Sequence, residues 1–259
     1  MDPTIVRSID ERLRFVEASQ DVRIAFAIES GSRAWGFPSP DSDYDCRFVF
    51  VRRREDYLAL YPKRDVIETP LDATFDVNGW DLKKAIRLLL SGNAVIVEWL
   101  TSPIVYRAEP NFRQAFIRLA DEVGKRDRFM AHYYHLARRQ FSLVSGNDVP
   151  LKKVFYVLRP LAALRWLAAH AEACVAPMHF PTLCAELDLD EALKADIAMM
   201  IAAKAITREA TANDVPPRVK EFVRQEMARL EGVDFRTGMA SAEDRDKAEG
   251  FFLSCLRRA

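Results

Sequence analysis

Strand-type apolar runs stop at Pro110, and everything beyond it repeats with the period of a helix. A chain ordered this way cannot alternate strand and helix around one parallel sheet. It must build a small sheet from its first part and a helical body from its second, which is an α+β plan with an appended helical domain. Before Pro110, residues 4–20 set Ile5, Ile9, Leu13 and Val16 at helical spacing. Residues 22–28 and 44–51 read as apolar strands, and 66–68 with 74–77 as a paired third and fourth strand around Pro70. Residues 55–60 allow a helical turn or two. Asp81 caps a helix over 82–90 that Gly92-Asn93 ends, and 95–100 is another apolar segment, helical or extended. After Pro110, residues 112–123, 128–144, 151–170, 187–203 and 217–230 carry helical periodicity. Breakers stand at Gly124, Gly146-Asn147, Pro177 and Asn213 with Pro216-Pro217.

Lys and Arg number 38, as do Asp and Glu, so the net charge is zero. That excludes a globally basic nucleic-acid coat and an acidic tail, leaving only local charged patches. The cysteines Cys46, Cys174, Cys184 and Cys255 are scattered with no Cys-x-x-Cys spacing, as expected of reduced thiols rather than a zinc knuckle or redox dithiol. Met1-Asp2-Pro3-Thr4 lacks the basic and apolar parts of a signal peptide. The longest apolar stretch, 161–175, is broken by Arg165, His170 and Glu172, and falls short of the ~20 residues that span a bilayer. The expectation is a soluble cytoplasmic chain with no membrane partner and no evident obligate protein partner.

One stretch carries chemistry. The apolar strand over 22–28 runs into Glu29-Ser30-Gly31-Ser32-Arg33, and then, through Pro38-Ser39-Pro40, into Asp43-Tyr44-Asp45. Gly31 lets backbone approach a ligand closely. Ser32 offers a hydroxyl beside the N–H groups of a helix start, and Arg33 adds a forked donor, a combination suited to phosphate. Residues two apart on a strand share a face, so Asp43 and Asp45 point the same way with Cα atoms roughly 6–7 Å apart, and Tyr44 points to the other face. Two such carboxylates repel unless a cation sits between them. A hard divalent ion takes oxygen ligands and keeps phosphates as further ligands. The pair can seat one or two ions ~3.5–4 Å apart for in-line phosphoryl displacement.

With Gly31-Ser32-Arg33 and Asp43-Tyr44-Asp45, the chain resembles the DNA polymerase β-like nucleotidyltransferase superfamily. Gly79-Trp80-Asp81-Leu82-Lys83-Lys84, Leu88-Leu89-Leu90-Ser91-Gly92-Asn93, Glu98-Trp99-Leu100 and Ser102-Pro103-Ile104 narrow the likeness to its RNA-repair-associated (RlaP-like) family. Lys152-Lys153, Tyr156, Leu158-Arg159-Pro160 and Trp166 extend it into the helical half, so that it covers roughly residues 20–185. Ala94 departs from the proline more usual there. The resemblance implies a catalytic domain over 1–110, a small mixed sheet with helices on one face, and a helical domain over 111–259 that closes the nucleotide cleft. It implies transfer of an NMP from an NTP to an acceptor hydroxyl of an RNA end, a small molecule or a protein, with release of pyrophosphate. It also implies two Mg²⁺ ions, or Mn²⁺, and a third carboxylate on a later strand. Asp76, in Phe75-Asp76-Val77, matches that position, with Asp72 and Asp81 as rivals; Asp81 is equally explained as a helix cap. Asp43 and Asp45 would hold both ions. Asp76 would hold the ion at the acceptor hydroxyl and accept its proton.

The triphosphate implied by that likeness needs cations beyond the metal. Residues 152, 156 and 159 lie on one helix face, with Lys153 at its edge. Gly31, Ser32, Arg33, Lys153 and Arg159 are the expected phosphate contacts, and Tyr156 a phosphate or base contact. Arg52-Arg53-Arg54 is either a solvated turn or a contact for a polyanion such as RNA. Trp35 and Trp80 are core or base-stacking walls, and His132 with His135 lack the partners of a metal site. Two other readings stay open: a nucleotide-binding sensor or adaptor without turnover, and, from the spacing of Arg165 and His170, a HEPN-like ribonuclease.

Overall fold

The computed structural model describes residues 1–70, 72–142, 149–208, 212–213, 215–235 and 238–257. The expected breaker Gly146-Asn147 and the last two residues of the expected helix 128–144 lie outside them. In chain order the elements are α1 (Pro3–Gln20), β1 (Val22–Glu29), α2 (Ser32–Trp35), β2 (Tyr44–Arg52), α3 (Arg54–Leu58), β3 (Val66–Glu68), β4 (Phe75–Asp81), α4 (Leu82–Leu90), α5 (Ala94–Thr101), β5 (Val105–Ala108) and α6 (Phe112–Val123). There follow α7 (Arg126–Phe141), β6 (Val149–Pro150), α8 (Leu151–Ala169), α9 (Phe180–Glu186), α10 (Glu191–Ile206), β7 (Ala212–Asn213), α11 (Pro217–Leu230) and α12 (Ala242–Leu256). This is an α+β protein. Two compact units divide it. The first comprises Met1–Gly31, Asp43–Gly124 and Met239–Ala259; the second comprises Ser32–Ser42 and Lys125–Gly238.

The first unit is built on a five-stranded mixed sheet of order β3-β4-β2-β1-β5. Only β2 and β4 run parallel; the other neighbours are antiparallel. Alternation sends Cys46, Phe48 and Phe50 of β2 and Val77 of β4 to one face, where they pack with Ile9, Leu13 and Val16 of α1. Ile5, Ile9, Leu13 and Val16 form the stripe read from the sequence, and all but Ile5 are buried. β4 continues past the expected 74–77 because Gly79 leaves room for the Phe48 ring, which a Cβ there would meet at 2.2 Å.

The pairing of β1 with β2 shifts between Ile24 and Phe26. An extra residue in one strand of a ladder reverses the alternation beyond it. Val22, Ile24 and then Ala27 therefore share the α1 side. Phe26 turns to the other face, against Phe112 of α6. On that same face Trp80 stacks on Trp99 of α5, ring centroids 4.0 Å apart. Helices thus cover both sides of the sheet. The expectation of helices on one face is corrected, because α1 occupies the second face through a stripe formed before the first strand begins.

The second unit is helical apart from the two-residue pairing of β6 with β7. α8 is its buried centre, with Phe155, Leu158, Leu161 and Leu164 fully enclosed. α10 begins at Glu191 rather than at 187, because the Asp190 carboxylate accepts from the Leu193 N–H and sets the first turn.

Candidate active site

Parallel pairing of β2 with β4 makes Asp45 and Asp76 register partners, with their side chains on one face. Two carboxylates so placed need a positive group, and the chain supplies one two residues along the same strand. One terminal nitrogen of Arg47 donates to Asp45 Oδ1 at 2.8 Å and to Asp76 Oδ2 at 2.7 Å. The other donates to the backbone carbonyls of Asp76 at 2.7 Å and Cys46 at 3.2 Å. Asn78 adds a side-chain bond to Asp76 Oδ1 at 3.2 Å. Asp43 lies half-buried just before β2.

The residue that sets Asp45 in place was not among the sequence candidates. Glu29, the last residue of β1, is fully buried. Its Oε1 accepts the Asp45 N–H at 3.0 Å and the Gly31 N–H at 3.3 Å, and Tyr106 of β5 donates its hydroxyl to Oε2. Ser102 donates to the Glu29 carbonyl at 2.7 Å, and the Ser30 N–H to the Asp45 carbonyl at 2.8 Å. Burial pushes the Glu29 carboxyl above its ordinary range, and the hydrogen bonds from Tyr106, Asp45 and Gly31 act against that rise. The signal available in the sequence was a lone acid closing a mostly apolar strand. Gly31 completes the cradle: a Cβ there would lie 1.7 Å from Asp45 Oδ2. The glycine is required by this close approach.

The other acidic candidates have local duties. Asp81 accepts the Lys83 N–H at 2.8 Å, takes a bond from Tyr57, and faces Arg52 at 3.7 Å. It caps α4, and burial raises its pKa. Asp72 accepts the N–H groups of Thr74 and Phe75 and pairs with Arg12, which closes the turn into β4. The arginine run dissolves in the same way. Arg52 is buried, Arg53 pairs with Asp21 at 2.8 Å, and Arg54 stays exposed at the start of α3.

The second unit contains the remaining sequence candidates. α2 is a single four-residue turn, too short for a substantial dipole, so the helix-start argument for an anion site is weaker than expected. The Ser32 hydroxyl donates to Ser42 Oγ at 3.0 Å, and Arg33 donates to the Ser42 carbonyl at 2.7 Å. Trp35 meets two residues of α8: the Arg159 guanidinium lies 4.4 Å from its ring centroid, and the Tyr156 ring stands edge-on at 5.8 Å. Phe37 stacks on Phe155 at 4.4 Å. Lys152 is the half-buried lysine near Tyr156, its Nζ 6.0 Å from the ring centroid, and Lys153 is exposed. α8 thus gathers Tyr156 and Arg159 against the residues that follow Gly31, with Lys153 outside that group. Lys204 of α10, fully buried and bonded to Ser39 Oγ at 3.3 Å, was missed in the sequence because it sits in the last turn of its helix among alanines. Arg165 pairs with Glu226 at 2.9 Å, whereas the His170 ring stacks on Trp166 at 4.0 Å. Each member of the ribonuclease-like pair thus has its own packing partner.

A divalent cation fits the donor chemistry of the first unit: the ligand atoms are hard carboxylate oxygens, and two of the acids already converge on one positive group. Among the described residues no three His, Cys, Asp or Glu side chains form a ready metal cage. No helix among them is long and apolar enough to cross a membrane.

Residues 5–254 match the family model described as RlaP, RNA repair pathway DNA polymerase beta family. The "Uncharacterized protein YcgL" of Bacillus subtilis (strain 168) is 39% identical over 225 residues, covering 86% of this chain and 85% of that protein. A nucleotidyltransferase-like protein from Exiguobacterium sibiricum 255-15, known from a crystal structure, aligns with 97% of this chain and 80% of its own at 12% identity and a TM-score of 0.32.

Proposed function

The chain belongs to the RNA repair pathway DNA polymerase β (RlaP) family, and on that premise we propose that it transfers a nucleoside monophosphate from an NTP to an acceptor hydroxyl and releases pyrophosphate. The observation that carries the reading is the alignment of Asp45 with Asp76 on adjacent parallel strands, converging on one cation beside the Gly31 cradle. When bound, Mg²⁺ or Mn²⁺ supplies charge neutralisation at the phosphates and acidifies the acceptor hydroxyl.

Asp43 and Asp45 are the ligands in this reading, with Asp76 as the third. The Asp76 carboxylate also takes the proton of the acceptor hydroxyl as the oxygen attacks the α-phosphorus and pyrophosphate leaves. Gly31 and Ser32 offer an N–H and a hydroxyl to the β- and γ-phosphates. Arg33, Lys153 and Arg159 supply positive charge to the same groups, and Tyr156 offers a ring to the base. Glu29 keeps Asp45 and Gly31 in fixed relation, so the acids and the turn act as one preorganised piece. An RNA end is the first acceptor to test, since the family is described by an RNA repair pathway.

The test is incubation of the protein and Mg²⁺ with each α-labelled NTP and with RNA, protein and metabolite fractions. Label should enter one fraction, with pyrophosphate released in equal amount. Asp45→Asn should lower transfer by about a hundredfold or more while the circular dichroism spectrum is kept, as for removal of a key electrostatic group. A fully active Asp45→Asn protein overturns the reading. Tight NTP binding with no pyrophosphate identifies a nucleotide sensor instead.

A further inference from the structure

Arg47 is the charged residue at the centre of the carboxylate cluster, and the proposed chemistry leaves it without a task. Its position is built rather than incidental. One nitrogen bridges Asp45 Oδ1 and Asp76 Oδ2, and the other is anchored on the carbonyls of Asp76 and Cys46. The side chain is only 15% exposed. The second oxygens of the two acids are turned elsewhere: Asp45 Oδ2 toward Gly31, Asp76 Oδ1 toward Asn78. A metal ion that bridges the two acids through Asp45 Oδ1 and Asp76 Oδ2 uses oxygens that the guanidinium already holds.

We propose that Arg47 is the resident counter-ion of this pair, and that a divalent cation settles on Asp45 and Asp76 only by taking its place. This rests on the metal-dependent reading above. Mg²⁺ requires oxygen ligands at roughly 2.0–2.1 Å, so an ion on these carboxylates and a guanidinium on the same atoms would be two cations within a few ångströms. Their repulsion makes the two occupancies exclude one another, and the coupling is reciprocal: what Arg47 costs the metal, the metal costs the Arg47 bonds. The guanidinium offsets one of the two carboxylate charges and holds an oxygen of each acid, so the wild-type protein takes metal weakly by itself. Nucleotide shifts the balance, because phosphate oxygens add ligands to the ion.

Mn²⁺ binding, followed by electron paramagnetic resonance without nucleotide, tests this on wild type, Arg47→Gln and Arg47→Lys. Removal of the charge should tighten Mn²⁺ binding about tenfold to a hundredfold, and Arg47→Lys, which keeps the charge, should stay close to wild type. Arg47→Gln should also melt lower than wild type without metal and recover with Mn²⁺. Equal or weaker binding by Arg47→Gln, with wild type binding normally, overturns the exchange and leaves the proposed reaction standing. Absence of binding by all three proteins, with or without NTP, overturns both. Should Arg47→Gln not fold, the Arg47 guanidinium NMR resonance of wild type decides: it should move on addition of Mg²⁺ and NTP, and a resonance that stays in place overturns the exchange.

Discussion

At the scale of single residues the site is a matter of contact distances. Gly31 has no side chain because the Asp45 carboxylate occupies that space. Gly31→Ala should drive Asp45 away from Arg47, cost about 1–3 kcal/mol in a urea titration and remove transfer activity. Glu29→Ala strips two buried N–H groups and the Tyr106 hydroxyl of their acceptor, and should destabilise by about 2–4 kcal/mol. Glu29→Gln keeps one carbonyl oxygen for those N–H groups and should cost visibly less in the same titration. Asp72 offers a pH test. Its hydrogen bonds from Thr74 and Phe75, and then Arg12, hold its carboxyl below the ordinary value of 3.8. The sign follows: the stability it contributes is present above that value and is lost as pH falls through the lower folded value. The melting-temperature gap between wild type and Asp72→Asn should therefore be open at pH 7 and close in acid. Of these residues the sequence marked Gly31 and Asp45 through spacing and turn chemistry, and Asp76 through the family resemblance. It hid Arg47 and Glu29, because a strand arginine and a terminal acid look alike whether they face water or a partner on the adjacent strand.

At the scale of elements, local pattern was a good guide where the partner surface was continuous. α1 shows its stripe in the sequence because it lies flat on one face of the sheet, and Leu13→Ala in that stripe should cost about 2–5 kcal/mol in urea. The cap on α4 was legible for the same reason, since Asp81 bonds a backbone N–H two residues away. β5 and α12 were not. β5 is four residues with half-exposed side chains, so it has neither a run nor an alternation to read. α12 carries charges through its first half, and its aromatic contacts come late, at Phe251 and Phe252.

At the scale of the whole chain, units do not follow sequence order. Residues 32–42, read as part of the catalytic half, group with the helical unit, and the C-terminal helix groups with the sheet. Periodicity cannot report such exchanges, since they depend on contacts between distant segments. Phe251 illustrates the link, with its ring 5.1 Å from Phe116 and 6.0 Å from Phe112. Phe251→Ala, near the end of the chain, should lower the stability of a unit that begins at Met1 by about 2 kcal/mol, measured by chemical denaturation.

The irregular step between Ile24 and Phe26 has a consequence for how this chain tolerates insertion and deletion. Val22 and Ile24 share a face with Ala27 only because one surplus residue offsets the count along the strand. Deleting Ala25 would preserve every chemical group around the acids, yet turn Phe26, Ile28 and Glu29 inside out. At that place, arithmetic matters more than identity: many substitutions of Ala25 by small residues should pass, and its removal should not.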